Sequence, residues 1–312
     1  MSSTQGVQQV LEKKQDIIKG DAERVEKQRA AGKLTARERI AKLVDQGSFV
    51  EMDTLASRGG EGAGVVTGYG TVRERPVYLF AQDFTVHGGA MGEAQAAKIV
   101  KVLDLALKTG APVVALCDSA GALLSEGAKA MEAYAKVYAK LARLSGVCPT
   151  IALVLGPCAG GAAIIARMAD VSIMANDVGE LMLYGPQVVS ALTGKEYTAK
   201  TLGGADVLAA QGVVSLVAEN ENAALKLAGD VLDLLPGCNA EDAPIVERPA
   251  VVHAHHHAFA GVEPRDPGEA GQRQGLVRGA EGAHVVDLAA GGLPAVEFLP
   301  VPGGDAALDV TL

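Results

Sequence analysis

The stretch TIALVLGPCAGGA (150–162) decides the fold, because an apolar run of strand length ends there in a turn of glycine and alanine. A second stretch, PVVALCDSAGA (112–122), repeats this arrangement earlier in the chain. Strands that are apolar on both faces are typical of a parallel sheet covered by helices on both sides. We therefore predict two buried parallel strands, Pro112–Cys117 and Thr150–Leu155, with a glycine-rich turn at the carboxyl end of each.

Strand and helix patterns alternate on both sides of these two stretches. Further strands are predicted at Val50–Met52, Ala63–Val72, Pro76–Ala81, Val171–Met174, Val213–Ala218 and Ala295–Phe298. Helices are predicted at Gly92–Leu107, Leu123–Leu144, Pro186–Leu192, Ala205–Gln211, Asn222–Leu235 and 275–290. This alternation predicts an α/β fold with a mostly parallel sheet, built from stacked β-β-α units.

Charge and turn content divide the chain into three parts. Residues 1–46 are charged and helical in pattern, and Thr35 with Glu38 forms a capping box for a helix. Residues 47–240 contain the alternating strands and helices. Residues 241–312 have the composition of a linker followed by a C-terminal extension. We therefore predict a helical arm, one α/β domain and an extension.

Composition excludes several classes of function. Of the 312 residues, 49% are hydrophobic and 21% are charged, so the chain can build a sizeable core. A net charge of −9 argues against a nucleic-acid binder, which normally carries a basic face. The N-terminus lacks the apolar segment of a secretory signal, so we expect a cytoplasmic location. Residues 144–166 are uncharged, but Pro149, Gly156 and Pro157 interrupt them, so no membrane insertion is predicted.

Two clusters of titratable side chains allow more than one interpretation. The basic residues of the arm, Lys33, Arg37 and Arg39, indicate either a solvated helical face or contact with a phosphate. A histidine cluster indicates either a surface loop or a metal site; its members are His253, His255, His256 and His257. The surface loop is favoured because the sequence places no carboxylate or cysteine partner beside it. The four cysteines have no C-x-x-C spacing, and we predict no metal.

Both glycine-rich turns follow strands, at the edge where α/β sheets bind ligands. Backbone N–H groups at a helix N-terminus favour negative charge, and two adjacent turns can aim two N–H groups at one oxygen. Such an oxyanion hole requires glycine or alanine, so that no side chain blocks the approach. The alternative is that these glycines only allow close packing of helix and sheet. Neither turn is a P-loop or a G-x-G-x-x-G motif, and Ser119 is not in a G-x-S-x-G elbow.

Seven segments between residues 20 and 245 carry a more specific pattern. They are GKLTARERIAKLVDQGSFVEMD (32–53), GVVTGYGTV (64–72), AQDFTVHGGAMGE (81–93), DSAGALLSEG (118–127), SGVCPTIALVLGPCAGGA (145–162), GPQVVSALTGKEYTAKTLGGA (185–205) and LLPGCNAEDAP (234–244). In this order and spacing they resemble the biotin-dependent acyl-CoA carboxyltransferases. That family includes the transferase subunits of propionyl-CoA carboxylase and of transcarboxylase, and related decarboxylases.

The resemblance implies a crotonase-like fold and an active site at a subunit interface. It implies that backbone N–H groups hold the thioester oxygen as an enolate forms, at Ala120, Gly121, Gly160 and Gly161. It implies substrate-binding positions at Phe84, Gly88, Gly89, Leu123 and Ala159. The implied reaction transfers CO₂ between N1 of carboxybiotin, held on a separate carrier protein, and the α-carbon of a coenzyme A thioester.

The chain departs from the family in two ways. The segment DSAGALLSEG replaces the usual DSGGARIQEG, so Ala120, Leu123 and Ser125 stand where glycine, arginine and glutamine are usual. The chain also resembles only the N-terminal, CoA-binding half of family members. This implies a split enzyme with two partners, a second carboxyltransferase half and a biotin carrier protein, and self-association into a higher oligomer.

Two other functions are compatible with these residues. The first is a malonyl-thioester decarboxylase subunit acting on an acyl carrier protein, although the arm segment GKLTARERI favours the biotin-dependent group. The second is a degenerate subunit that scaffolds an active paralogue, because Ala120 and Leu123 depart from the usual turn.

Overall fold

The computed structural model describes residues 3–56 and 62–244. The predicted helix 275–290, the predicted strand Ala295–Phe298, the histidine cluster and most of the predicted extension lie outside these described residues. Eight strands form one sheet within them: β1 (Val50–Met52), β2 (Val65–Val72), β3 (Arg75–Gln82), β4 (Val113–Ser119), β5 (Thr150–Ala159), β6 (Val171–Ala175), β7 (Glu180–Met182) and β8 (Leu216–Ala218). Every residue of β4 is buried, as predicted for a central strand.

The sheet changes from antiparallel to parallel pairing at β3. The strands β1, β2 and β3 form an antiparallel meander. From β3 onward the pairs β3–β4, β4–β5, β5–β6 and β6–β8 are all parallel. The strand β7 lies off this path, and its residues 180–182 pair with residues 157–159 of β5. The last residues of β3, β4 and β5 therefore meet at one edge, which we call the carboxyl edge.

Helices cover both faces of this sheet. Those of the described residues are α1 (Ser3–Lys19), α2 (Ala22–Ala30), α3 (Ala36–Leu43), α4 (Glu93–Thr109), α5 (Ala128–Leu144), α6 (Gly161–Met168), α7 (Pro186–Thr193), α8 (Ala199–Gly203), α9 (Ala205–Ala210) and α10 (Glu221–Leu232). The predicted capping box is present at the start of α3, where Thr35 and Glu38 bond to each other's backbone N–H groups. No helix among them combines the length and apolar character needed to cross a membrane.

Two hydrophobic clusters hold the layers together, one on each face of the sheet. On one face, α4, α5 and α6 contribute side chains such as Ile99, Val137 and Ile165 to the same cluster as Phe80 of β3. On the other face, α3 and α10 contribute Ile40, Leu43, Leu225 and Ala228 against Leu79, Leu116 and Leu153. The helical arm is therefore part of the domain core through α3, and it is not a separate appendage.

Three predicted elements differ from the structure. The helix predicted from Leu123 begins only at Ala128, because Gly127 has φ 56° and ψ −129°, which no helix accommodates. The strand β5 continues beyond the predicted end at Leu155 to Ala159, because β7, which the sequence did not predict, pairs with residues 157–159. The strand predicted over Val213–Ala218 is reduced to β8, because the N–H of Val213 bonds back to Leu208.

Candidate functional site

The two glycine-rich turns lie side by side at the carboxyl edge. Ser119, the last residue of β4, pairs with Cys158 near the end of β5. Gly121 has φ 111°, and a Cβ atom at this position would stand 3.2 Å from the carbonyl oxygen of Ala159. This close approach in a left-handed conformation requires glycine. It brings Gly121 next to Ala159 and places Ala120 beside them.

A third loop, between β3 and α4, runs along the first turn. The N–H of Ala120 donates to the carbonyl oxygen of Gly88 at 2.9 Å. The N–H of Met91 donates to the carbonyl oxygen of Gly121 at 2.8 Å, and the carbonyl oxygen of Met91 accepts from the N–H of Leu123 at 2.8 Å. These three bonds join the loop to the first turn, and we call the surface formed by residues 88–91 and 120–123 the floor. The half-buried Leu123 lies at the edge of this floor.

Gly89 and Phe84 complete this side of the floor. Gly89 has φ 62°, and a Cβ atom there would collide with the carbonyl oxygen of Asp118. The ring of Phe84 lies 3.9 Å from the position of a Cβ atom on Gly88, and the Lys33 ammonium stands 4.2 Å from the centroid of that ring. All five predicted substrate-binding residues therefore lie at the carboxyl edge. Their role in binding stays a prediction.

Two of the four predicted oxyanion donors are already engaged by the protein. The N–H of Ala120 is bonded to Gly88, and the N–H of Gly160 donates to the carbonyl oxygen of Met182 at 2.9 Å. A bound oxygen would have to displace these acceptors. Ala120 and Gly160 therefore position the turns in this structure, and their neighbours are better placed to donate.

Gly121 and Gly161 have N–H groups with more capacity for a ligand. The N–H of Gly121 makes a longer bond of 3.2 Å, to the Oγ atom of Ser119 two residues earlier. For the N–H of Gly161, no acceptor is found within the described residues. Gly161 is the first residue of α6, where the helix dipole adds partial positive charge. The preceding Gly160 has φ 60° and ψ −126°, a conformation that glycine adopts at low energetic cost.

Exposed apolar side chains surround the two turns. The most exposed is Leu124, at 88%, directly after the first turn. Its companions lie at the start of α5, on α6 and just after β7; with Leu124 they form the apolar rim, Met131, Ile164, Leu183 and Tyr184. Apolar patches of this kind typically mark an interaction surface. The rim therefore makes the carboxyl edge a candidate interface as well as a candidate site.

Buried charges lie directly beneath the turns. Arg39 and Asp118 are both 0% exposed, and Lys33 is almost fully buried. Lys33 Nζ is 2.8 Å from Asp118 Oδ1, and Arg39 Nη1 is 2.8 Å from Asp118 Oδ2. The expected solvated face is therefore wrong for Lys33 and Arg39, because both are buried and paired with the carboxylate of Asp118. The alternative of a phosphate contact stays a prediction. Arg37 lies nearer the surface and pairs with Glu51 at 2.8 Å.

Asp118 is the functional candidate that the sequence interpretation missed. Its signal is a carboxylate that directly follows an apolar buried strand, a place where an unpaired charge would be very unfavourable. Its partners Lys33 and Arg39 are 85 and 79 residues away in the chain, so no local pattern connects them. Only the packing of the arm against the sheet brings these charges together.

Burial controls the ionisation of the side chains around the turns. Burial lowers the pKa of Lys33, and the charge of Asp118 opposes that shift. A hydrogen bond with the Cys117 thiol, together with burial, raises the pKa of Cys158 well above its ordinary value. Burial also raises the pKa of Tyr138 to about 12. Neither Cys158 nor Tyr138 ionises near neutral pH, so the turns offer neutral N–H donors in place of a charged nucleophile.

No group of three or more His, Cys, Asp or Glu side chains suited to a metal ion occurs in residues 3–56 and 62–244. The expectation that the protein uses no metal stays a prediction, because the histidine cluster lies outside those ranges. The three cysteines of the core, Cys117, Cys148 and Cys158, are buried free thiols.

Comparisons with known proteins agree on one family. The profile described as carboxyl transferase domain matches residues 27–293. The chain is 45% identical over 260 residues to methylmalonyl-CoA decarboxylase subunit alpha of Veillonella parvula, covering 79% of this chain and 51% of that protein. It is 41% identical over 237 residues to the propionyl-CoA carboxylase beta chain of Saccharopolyspora erythraea, covering 72% and 43%. The chain thus spans about half the length of the curated relatives it matches.

The fold is also similar to a solved structure. A crystal structure of transcarboxylase 12S, a hexamer with methylmalonyl-coenzyme A and methylmalonic acid bound, matches with a TM-score of 0.75 and 40% identity. The match covers 79% of this chain and 50% of that one. It confirms the predicted crotonase-like α/β fold.

Proposed function

Because this chain belongs to the carboxyl transferase domain family, we propose that it is the acyl-CoA side of a biotin-dependent carboxyltransferase. In this role it binds a coenzyme A thioester and stabilises the enolate that forms when the α-carbon loses a proton or a carboxyl group. Biotin, carried on a separate protein, would supply the carboxyl group as carboxybiotin and take up the α-proton at N1, and in the reverse direction it would accept the carboxyl group and return the proton. The part of this chain is to hold the thioester oxygen through backbone N–H groups of the two turns.

The observation that carries this proposal is the placement of the Gly121 and Gly161 N–H groups on adjacent turns. The thioester oxygen gains negative charge as the enolate forms, so donors fixed beforehand stabilise the transition state more than the ground state. In acyl transfer enzymes, loss of one such donor lowers kcat by about 10²–10³-fold. The N-terminus of α6 adds a favourable dipole at the same point.

The side chains near the turns support a role in positioning. Ser119 is fully buried and already accepts from Gly121, and the buried Cys158 thiol stays protonated near neutral pH. Phe84 and Leu123 border the floor and are suited to contact an acyl group. The departures at Ala120 and Leu123 affect the shape of the floor and leave the N–H groups of Gly121 and Gly161 in place.

A covering partner is part of the proposal. The apolar rim around Leu124 and Tyr184 is exposed in this chain, and burying it would exclude water from the enolate. We assign this cover to a second carboxyltransferase half that also brings the biotin side. Because the transcarboxylase 12S relative is a hexamer, we further propose that the chain self-associates, and we place the whole assembly in the cytoplasm.

The test uses the full chain, alone and together with proteins that copurify with it. Each sample receives malonyl-CoA or methylmalonyl-CoA, with and without free biotin, and the CoA thioesters are separated by chromatography. We expect acetyl-CoA or propionyl-CoA to form, faster with biotin and faster again with the copurified partner.

Two results would overturn the proposal in different ways. Conversion that is independent of biotin, and that occurs as well on an acyl carrier protein, would assign a malonyl-thioester decarboxylase. Absence of conversion and of CoA thioester binding, measured by calorimetry, would assign a non-catalytic scaffold.

A further inference from the structure

A closed set of four charged side chains lies behind the two turns. We call it the arm cluster, and it consists of Lys33, Arg39, Asp118 and Glu221. Besides its bond to Asp118, Arg39 places Nη2 2.5 Å from Glu221 Oε1. Two positive and two negative charges balance, and Glu221 also accepts from the N–H of Leu34 at 2.9 Å. The arm cluster therefore ties residues before α3 and within it to β4 and to the start of α10.

The arm cluster contacts the root of each turn. Asp118 is the residue directly before Ser119 in the first turn. Arg39 Nη2 donates to the carbonyl oxygen of Leu155 at 2.6 Å, at the point where the second turn begins. A Cβ atom on Gly156 would collide with the carboxylate of Asp118, so the second turn packs directly on that group. One carboxylate and one guanidinium thus fix the starting points of both turns.

Buried glutamines extend this network to the third loop. The N–H of Asp118 donates to Gln82 Oε1 at 3.2 Å, and Gln82 Nε2 donates to Gln95 Oε1 at 3.4 Å. Gln95 Nε2 in turn donates to the carbonyl oxygen of Gly89 at 3.3 Å and to that of Gly64 at 2.9 Å. The backbone position of Asp118 is therefore fixed with respect to the loop that forms the site floor.

Burying four paired charges adds little net stability to the domain. The desolvation of ions offsets most of the attraction between them, and apolar side chains of similar size often stabilise a core as well or better. A buried ion pair does fix the orientation of the groups that it joins, because a guanidinium and a carboxylate form hydrogen bonds at preferred angles. The arm cluster is thus better suited to orient the turns than to stabilise the domain.

We infer that Asp118, held by Lys33 and Arg39, is a positioning residue that sets the separation of the Gly121 and Gly161 N–H donors. This inference rests on the proposed function, since it concerns the same oxyanion site. It assigns the helical arm a role in the transfer step, and the arm would play this role without contacting the substrate. Without the charges of the arm, both turns would still form, but the distance between the Gly121 and Gly161 N–H groups would no longer be fixed.

The test compares variants of the full chain in the transfer assay described above. In Asp118→Asn, Lys33 and Arg39 keep their charge and lose the carboxylate, so both thermal stability and kcat fall. In Lys33→Met with Asp118→Asn, one charge of each sign is removed and the balance returns. We expect the melting temperature to recover while kcat stays at least about 10-fold below wild type. The Kd for propionyl-CoA should stay within about twofold of wild type, because neither substitution replaces a residue that we place against the thioester.

A matched control removes a surface ion pair from the same arm. Arg29 and Glu38 are 2.6 Å apart and partly exposed, and Arg29→Met with Glu38→Gln is expected to keep wild-type kcat. Recovery of kcat together with the melting temperature in the Lys33→Met, Asp118→Asn variant would overturn the inference. A loss confined to Kd would also overturn it. If that variant does not fold, Arg39→Lys takes its place with the same readouts. An inactive wild-type assembly would overturn the proposed function first, and this inference with it.

Discussion

The hydroxyl of Tyr138 donates a hydrogen bond of 2.9 Å to the carbonyl oxygen of Gly161. Tyr138 lies on α5 and stacks on Tyr134, with ring centroids 5.7 Å apart. A Cβ atom on Gly161 would stand 2.7 Å from the Tyr138 hydroxyl and 2.8 Å from the Tyr134 ring. The first peptide of α6 is therefore held from below by two tyrosines, and its position depends on both.

Replacing Tyr138 with phenylalanine removes this bond and keeps the ring. We expect the free energy of unfolding to fall by about 1 kcal/mol, the usual contribution of one hydrogen bond. We expect kcat for carboxyl transfer to fall several-fold, because the first turn of α6 can shift. Chemical denaturation and the transfer assay measure the two effects. The control is Tyr78→Phe, which removes a hydroxyl in the middle of β3, where Tyr78 pairs with Val113 at the start of β4 and away from the carboxyl edge. Equal kcat losses in both variants would contradict the prediction.

A methyl group on Gly161 tests the donor itself. Gly161→Ala forces the new Cβ atom against the two tyrosines, so the N–H must move away from its present position. We expect kcat to fall by about 10²-fold or more, the cost of one oxyanion donor. The control is Gly194→Ala at the end of α7, where φ is 71° and no atom lies within 4 Å of a Cβ. That variant should lose about 1 kcal/mol of stability and keep its kcat. Wild-type transfer by Gly161→Ala would exclude Gly161 as a donor.

Restoring the usual family residues separates an active subunit from a degenerate one. The methyl group of Ala120 is exposed and lies 3.4 Å from the position of a Cβ atom on Gly88, so Ala120→Gly widens the floor. Leu123→Arg adds a charge at the edge of the floor, and we expect it to change the relative kcat/KM for malonyl-CoA and methylmalonyl-CoA. Unchanged rates for both thioesters would show that Leu123 does not border the acyl pocket. Activity that appears only in the double variant would identify the natural chain as degenerate.

Lys98 provides a prediction about pH. The residue is 4% exposed, its ammonium donates to the carbonyl oxygen of Val65 at 2.7 Å, and burial lowers its pKa to about 8. Below pH 8 the buried Lys98 side chain is charged, and its desolvation lowers the free energy of unfolding. Between pH 8 and about 10.5 the unfolded chain binds more protons than the folded one, so stability rises with pH. We expect Lys98→Met to raise the free energy of unfolding at pH 7 by about 1–3 kcal/mol. This advantage should shrink as pH increases from 8 to 10.5 in denaturant titrations, and a constant advantage would contradict the prediction.

The sequence predicted the fold better than the connections within the site. The central strands followed from their apolar runs, because burial on both faces leaves a clear local pattern. The strand β7 was missed, because three residues carry no periodicity and because its pairing partner, residues 157–159, lies in a predicted turn.

The predicted site residues do lie at one edge, since parallel strands bring their carboxyl ends together. The engagement of Ala120 and Gly160 could not be predicted, because their acceptors, Gly88 and Met182, depend on how three loops pack. The burial of Lys33 and Arg39 could not be predicted for the same reason. Charged residues in a helical segment usually face water, and only tertiary structure provides the carboxylate that buries them.

The bond between Arg39 and Glu221 joins residues that are 182 positions apart in the chain. Contacts of such long range form late, because a large loop must close before they add any stability. On the ribosome, Lys33 and Arg39 are made before the strands of the sheet, and Glu221 is added only after all eight of those strands. The spacing of the two turns is therefore among the final properties the chain acquires, and a product cut short before α10 would keep most of its sheet without a finished site.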